Sequence, residues 1–124
     1  LLGKYRVVTI LGQGPIGIVL EVEEHGTAKR CAAKLIHPQF SRGHDGANRM
    51  LAEAKTSAGI FCDNIAKIFE CGKDLGGAAI VIRELLLGEC LQTRLDGQTR
   101  FTFEEATTIG LGIARALNAM HQKQ

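Results

Sequence analysis

Leu11-Gly12-Gln13-Gly14-Pro15-Ile16-Gly17-Ile18-Val19 is the stretch on which the fold turns. Its glycines follow the spacing GxGxxG, and each lacks the Cβ that would hold a ligand's phosphates away from the backbone. Alone the pattern is weak, because a plain flexible turn also accounts for it. The flanks carry the information. Residues 5–11 are largely β-branched or apolar, and after the glycines Ile18, Leu20 and Val22 alternate with Val19 and Glu21 at the period of two that marks a strand. A dinucleotide-binding turn instead opens a helix, whose N-terminus takes the pyrophosphate. The strand after Gly17 disfavours that design. No Gly-Lys-Ser/Thr follows, so the Walker loop fails as well. The glycines are expected to form a hairpin between two antiparallel strands.

Outward from the hairpin, His25-Gly26-Thr27 marks a turn and residues 30–36 read as a third strand. Such short connections imply antiparallel pairing, since a parallel partner needs a long crossover. Residues 37–46 carry Pro38, Gly43 and Gly46 and read as a loop. The Ala-, Glu- and Lys-rich run over 48–58 predicts a short helix. Residues 65–69 and 78–82 read as two further strands, joined by a turn over 72–77. Beyond Leu91 the pattern becomes helical, with a short helix over 91–95 and a longer one that Thr102 caps. Glu105, three residues on, completes a capping box, and Ala106, Ile109, Ile113, Leu117 and Met120 line one apolar face. The fold class expected is α+β: a five-stranded antiparallel sheet with one inserted helix, followed by two helices.

The chain has 124 residues, of which 45% are hydrophobic and 23% charged, the balance of one globular domain. A net charge of +2 without runs of like charge gives no support for nucleic acid or an anionic membrane as partner. No apolar stretch reaches the roughly 20 residues that span a bilayer, and Leu1-Leu2-Gly3-Lys4-Tyr5 lacks the form of a secretory signal. Cys31, Cys62, Cys71 and Cys90 are scattered with no C-x-x-C pair. They read as small apolar residues of a reducing compartment, which points to the cytoplasm and to no metal site. The first residue is not Met, and the end at His121-Gln122-Lys123-Gln124 shows no helix stop, so the chain reads as a segment of a longer protein.

Two further features align with the glycine hairpin. Cys31-Ala32-Ala33-Lys34 puts a lysine on the third strand, with Ala32 and Lys34 on one face. Arg49-Met50-Leu51-Ala52-Glu53-Ala54 offers a carboxylate in mid-helix. Taken singly, Lys34 reads as a solvated charge and Glu53 as an i,i+4 partner of Arg49. Taken together, and in this order, they resemble the protein kinase family, in which a strand lysine beneath a glycine-rich hairpin is oriented by a helix glutamate. The resemblance is to the N-terminal lobe and first C-lobe helices of bacterial, eukaryotic-like serine/threonine protein kinases. Phe61-Cys62-Asp63-Asn64-Ile65 resembles the stretch before the fourth strand. Ile80-Val81-Ile82-Arg83-Glu84-Leu85-Leu86 resembles the fifth strand and the hinge. Leu117 and His121 match the end of the long helix. The implied division is an N-lobe over residues 1–87 and the start of a C-lobe over 88–124.

That resemblance implies ATP and Mg²⁺ as cofactors, the metal's ligands lying outside this chain, and a protein hydroxyl as phosphoryl acceptor. It implies catalytic roles for Lys34, binding the α- and β-phosphates, and for Glu53, orienting Lys34. Leu11, Gly12, Gln13, Gly14 and Gly17 would belong to the loop over the nucleotide, Val19 and Ala32 to the roof over adenine. The Glu84 carbonyl and the Leu86 amide would bind the adenine edge. Three departures stand against a simple transfer. Pro15 removes one loop N–H and fixes φ. Arg83 stands where the family has an apolar or small residue behind adenine; it either captures Glu53 or points outward. Nothing matches the His-Arg-Asp or Asp-Phe-Gly loops, so the segment alone is expected to be inactive. A pseudokinase acting as a nucleotide-sensing or scaffolding module is the alternative, and an unrelated α+β domain with a chance glycine loop a third.

Overall fold

A computed structural model of the chain describes residues 1–37, 46–97 and 100–123. Along the chain run β1 (Tyr5–Gln13), β2 (Gly17–Glu24), β3 (Arg30–Ile36), α1 (Gly46–Ala58), β4 (Ile68–Lys73), β5 (Ala79–Glu84), α2 (Leu91–Gly97) and α3 (Phe103–His121). The strands form one sheet in the order β1-β2-β3-β5-β4, with every neighbouring pair antiparallel. This is the α+β architecture that the strand and helix patterns predict. Of the loop expected over 37–46, residues 38–45 lie outside the described residues. Two compact units are distinguished, one of Leu1–Gly59 with Ala66–Leu85, the other of Ile60–Ile65 with Leu86–Gln124.

In the first unit, strand alternation sorts side chains onto two faces. Leu20 and Val22 from β2, Cys31 and Ala33 from β3 and Ile80 and Ile82 from β5 form one core with Tyr5, flanked by Leu1, Leu2, Ile18 and Leu35. Val22, Ile80 and Ile82 are wholly buried, each contributing about 1.5–3 kcal/mol. Burial also pushes the Cys31 thiol upward and keeps it protonated. The other face carries α1, whose Leu51 packs with Ile36 and Ala79, Met50 and Cys71 closing around them.

β1 and β4 are the two edges of the sheet, yet side chains at the start of β1 reach β4. The Tyr5 hydroxyl donates to Glu70 Oε2 at 3.2 Å, and Lys4 Nζ lies 2.7 Å from the same oxygen. Tyr5 holds its proton above the usual phenol range, first through burial and then through that hydrogen bond.

β4 and β5 run further than the expected 65–69 and 78–82. Asp74 sets the turn between them: its N–H donates to the Ala78 carbonyl at 3.0 Å and its Oδ1 accepts from Ala78 N–H at 2.8 Å. Gly77 completes the turn at φ +81°, a conformation that favours glycine. Gly72 and Lys73 are thereby released into the strand. At the other end Ile65 belongs to a turn, its N–H bonded to the Cys62 carbonyl at 3.0 Å.

In the second unit the capping box over α3 forms as expected. Thr102 Oγ1 accepts from Glu105 N–H at 3.1 Å, and Glu105 Oε2 accepts from Thr102 N–H at 2.9 Å. Arg94 of α2 adds an ion pair to Glu105 at 3.2 Å and lies over the Phe101 ring. Neither α2 nor α3 buries a side chain fully.

Candidate functional site

The glycine stretch is a hairpin, as its flanking strands require. Gln13 and Ile18 face each other across β1 and β2, and Gly14 N–H donates to the Gly17 carbonyl at 2.9 Å to close the tip. Leu11 falls in a register shift between Ile10 and Gly12 and is exposed. A bulge of this kind re-aims a side chain in a way no alternating pattern reveals.

The three glycines are there for different reasons. A Cβ added to Gly17 would collide with the Leu35 carbonyl oxygen, so β3 itself demands glycine at that position. At Gly12 and Gly14 an added Cβ would meet nothing within 4 Å, and neither has positive φ. Nothing inside the described fold requires glycine at these two positions. What their missing side chains provide is a bare backbone open to a ligand.

Register gathers the other candidates beside that backbone. Gly12 pairs with Val19, Val19 with Lys34, and Lys34 with Val81, a single row across four strands. The next row on the same face holds Glu21, Ala32 and Arg83, each opposite the last. Arg83 therefore shares the face of Ala32 and Lys34 instead of pointing to the other side, as one reading of the sequence allowed.

Charges on this face divide into satisfied and unsatisfied. Arg30 pairs with Glu21 at 2.6 Å and Arg6 with Glu23 at 2.7 Å, and the Arg6 hydrogen bond holds the Glu23 carboxyl below its usual range. Lys34 and Arg83 are both half-buried, and neither has an ion pair or a hydrogen bond among the described residues. Glu53 does not reach Lys34. It pairs instead with Arg49 one turn back, at 3.0 Å, with both side chains largely exposed. Nor does Arg83 capture it. An exposed i,i+4 pair is worth only about 0.3–0.5 kcal/mol, so little holds Glu53 where it is.

At the end of β5, Glu84 N–H donates to the Lys67 carbonyl at 2.8 Å and its carboxylate accepts from Lys67 N–H at 3.3 Å. Both contacts pin the segment that leads out of the strand. Leu86 lies in the second unit and is 65% exposed. Gln13 is exposed at the hairpin. One contact has no sequence signal: the hairpin tip is tied to His37, just past β3, through the Ile16 carbonyl.

Chemically, the face offers an unpaired ammonium beside bare backbone and a small, buried Ala32 one row away. That set suits a ligand with a phosphate chain and a flat apolar part. Among the described residues no three His, Cys, Asp or Glu side chains gather into a metal-ligand set. Among the same residues no helix is long and apolar enough to cross a membrane.

Residues 5–124 match the family model described as the protein kinase domain. Serine/threonine-protein kinase PknA of Mycobacterium tuberculosis is 29% identical over 123 residues, covering 96% of this chain and 28% of PknA. Serine/threonine-protein kinase PknD of the same organism is 32% identical over 119 residues, covering 96% of this chain and 18% of PknD. The crystal structure of the M. tuberculosis PknI kinase domain superposes with a TM-score of 0.84 at 24% identity, over 97% of this chain and 48% of that one. The chain thus spans less than a third of the length of these two sequence relatives.

Proposed function

This chain belongs to the protein kinase family, and from that premise we propose that it is the ATP-gripping part of a protein serine/threonine kinase. The complete protein would transfer the ATP γ-phosphoryl group, with Mg²⁺, to a protein hydroxyl. The observation that carries the reading is the row Gly12–Val19–Lys34, in which a cation unpaired among the described residues lies in line with glycine backbone on which an added Cβ would meet nothing within 4 Å at Gly12.

In this proposal Lys34 holds the α- and β-phosphates, and Gly12, Gln13, Gly14 and Gly17 cover them with backbone. Leu11, Val19 and Ala32 close over the adenine. The Glu84 carbonyl and the Leu86 amide remain the proposed partners of its edge. Glu53 would orient Lys34 after exchanging Arg49 for it, an exchange that costs little because the present pair is exposed. The lysine–glutamate pair must be in place for phosphoryl transfer, so an arrangement with Glu53 on Arg49 belongs to a state that binds nucleotide without processing it. Magnesium ligands and the catalytic base would come from residues outside this chain. A cytoplasmic setting is part of the same reading and rests on the scattered, unpaired cysteines.

A second reading, a pseudokinase that senses nucleotide, is favoured by the same Arg49–Glu53 pair together with Pro15 and with Arg83, whose side chain has no partner among the described residues. Titration of the chain with ATP, followed by thermal shift, tests the grip itself. Lys34→Met removes the cation in line with the hairpin and should weaken binding about tenfold, the effect of one charge-assisted hydrogen bond. Equal stabilisation of wild type and variant would remove Lys34 from the site.

A further inference from the structure

The tip of the glycine hairpin is held from outside by one residue. His37 N–H donates to the Ile16 carbonyl at 3.0 Å, and His37 Nε2 lies 3.3 Å from the Gly14 carbonyl. A carbonyl can only accept, so Nε2 carries the proton in this contact. Between the two carbonyls stands Pro15, with its fixed φ and no N–H. His37 thus grips both sides of the stiffest residue in the loop.

We propose that His37 is a positioning residue for the loop that covers the phosphates, turning its carbonyl oxygens outward so that its amides face inward. The proposal rests on the ATP reading above. Its logic is that of a small number of donors. Pro15 has none to give, and the Gly14 N–H is already bonded to the Gly17 carbonyl. Ile16 and Gly17 are left as the donors the tip can offer. In a planar trans peptide the C=O and N–H point in opposite directions. Binding the Ile16 carbonyl to the His37 N–H just past β3 therefore aims the Gly17 N–H away from β3, across the hairpin toward the Gly14 side. That bond comes from the backbone at position 37, so what the histidine side chain itself adds is the Nε2 contact on the Gly14 carbonyl.

The two halves of the loop also differ in how they are fixed. Gly17 is seated against the Leu35 carbonyl and needs no further restraint. A Cβ on Gly14 would meet nothing within 4 Å, and among the side chains described the His37 ring alone restrains its carbonyl. The Nε2 contact therefore acts on the half of the loop that packing leaves loose.

The test compares ATP affinity by calorimetry for the wild-type chain, His37→Ala, His37→Gln and Lys34→Met, with amide exchange at Gly14 and His37 followed in the absence of nucleotide. Gln places an Nε2 donor where the histidine has one. His37→Ala should bind ATP roughly fivefold more weakly, the effect of one neutral hydrogen bond, exchange faster at Gly14, and melt at the wild-type temperature. His37→Gln should recover most of the affinity. Wild-type affinity in His37→Ala, with Lys34→Met still impaired, would overturn the proposal and leave the ATP reading standing. Absence of ATP binding by the wild type would overturn both. Failure of Gln to restore what Ala loses would also count against the Nε2 contact.

Discussion

At the scale of single residues, GxGxxG turns out to be two requirements written in one letter. Gly17 is glycine because β3 passes beneath it, with the Leu35 carbonyl oxygen where a Cβ would stand. Gly12 and Gly14 have no such neighbour, since a Cβ added to either would meet nothing within 4 Å; in the proposed function they are kept bare for the nucleotide. Substitution should separate the two. Gly17→Ala forces backbone apart and should destabilise the chain by about 1–3 kcal/mol or more, as overpacking does. Gly12→Ala and Gly14→Ala should leave stability within about 0.5 kcal/mol while weakening ATP binding. Denaturation midpoints and nucleotide titrations on the three variants measure this. A stable Gly17→Ala would mean that β2 and β3 do not approach so closely. The motif could be read from sequence because it is local, as could Lys34 and its shared face with Ala32, which follow from strand periodicity. The partner of Glu53 could not. Its choice between Lys34 and Arg49 depends on where α1 sits on the sheet, and that is set by Leu51 against Ile36 and Ala79, far apart in the chain. His37 was invisible for the same reason: nothing in its neighbourhood announces a bond to a carbonyl 23 residues earlier.

At the scale of elements, the capping box of α3 is legible in the sequence alone, since the Thr102–Glu105 spacing contains the whole interaction. It makes a prediction about acid. The Glu105 carboxyl is held below its ordinary value of 4.5, first by the Thr102 backbone N–H, then by the Thr102 hydroxyl, with Arg94 adding attraction. A group whose folded value is lowered stabilises fully above its unfolded value and ceases to do so as pH falls through the lowered one. The helix should therefore lose order on acidification below about pH 4.5. Glu105→Gln can still accept hydrogen bonds but does not titrate, so its helical circular dichroism should change less over the same range. Identical acid limbs for the two proteins would remove the carboxylate from the account. Thr102→Ala should cost α3 about 1 kcal/mol at neutral pH. Strand boundaries are harder to read. β4 runs on to Lys73 and β5 starts at Ala79 because Asp74 closes its turn with its own side chain. The register shifts in β1, between Val7 and Thr9 and between Ile10 and Gly12, answer to cross-strand fit that alternation cannot encode.

At the scale of the whole chain, apolar burial is distributed unevenly between the two units. Both hydrophobic clusters lie in the unit formed by Leu1–Gly59 and Ala66–Leu85. In the other, α2 and α3 hold no buried residue, and Leu111, Ile113 and Leu117 are each 45–53% exposed. Burial supplies most of the stability of helices in proteins, and helices shorter than about 12–15 residues are marginal without it. α3, with 19 residues and a capping box, exceeds that length, whereas α2, with 7, does not. The 124-residue chain should consequently not unfold as one cooperative body. Native-state hydrogen exchange should show its highest protection at β2, β3 and β5, whose side chains fill the core. Protection in α3 should be lower by orders of magnitude, with α2 lower still, because local opening there exposes little new apolar surface. The free energy of opening at α3 should rise when the Thr102 cap is intact and fall in Thr102→Ala, while the β3 amides stay unchanged. Should α3 instead exchange at the rate of β3 and respond with it to core substitutions such as Val22→Ala, the two units would share one transition. The stability of the helices would then have to come from contacts beyond those that their own unit contains.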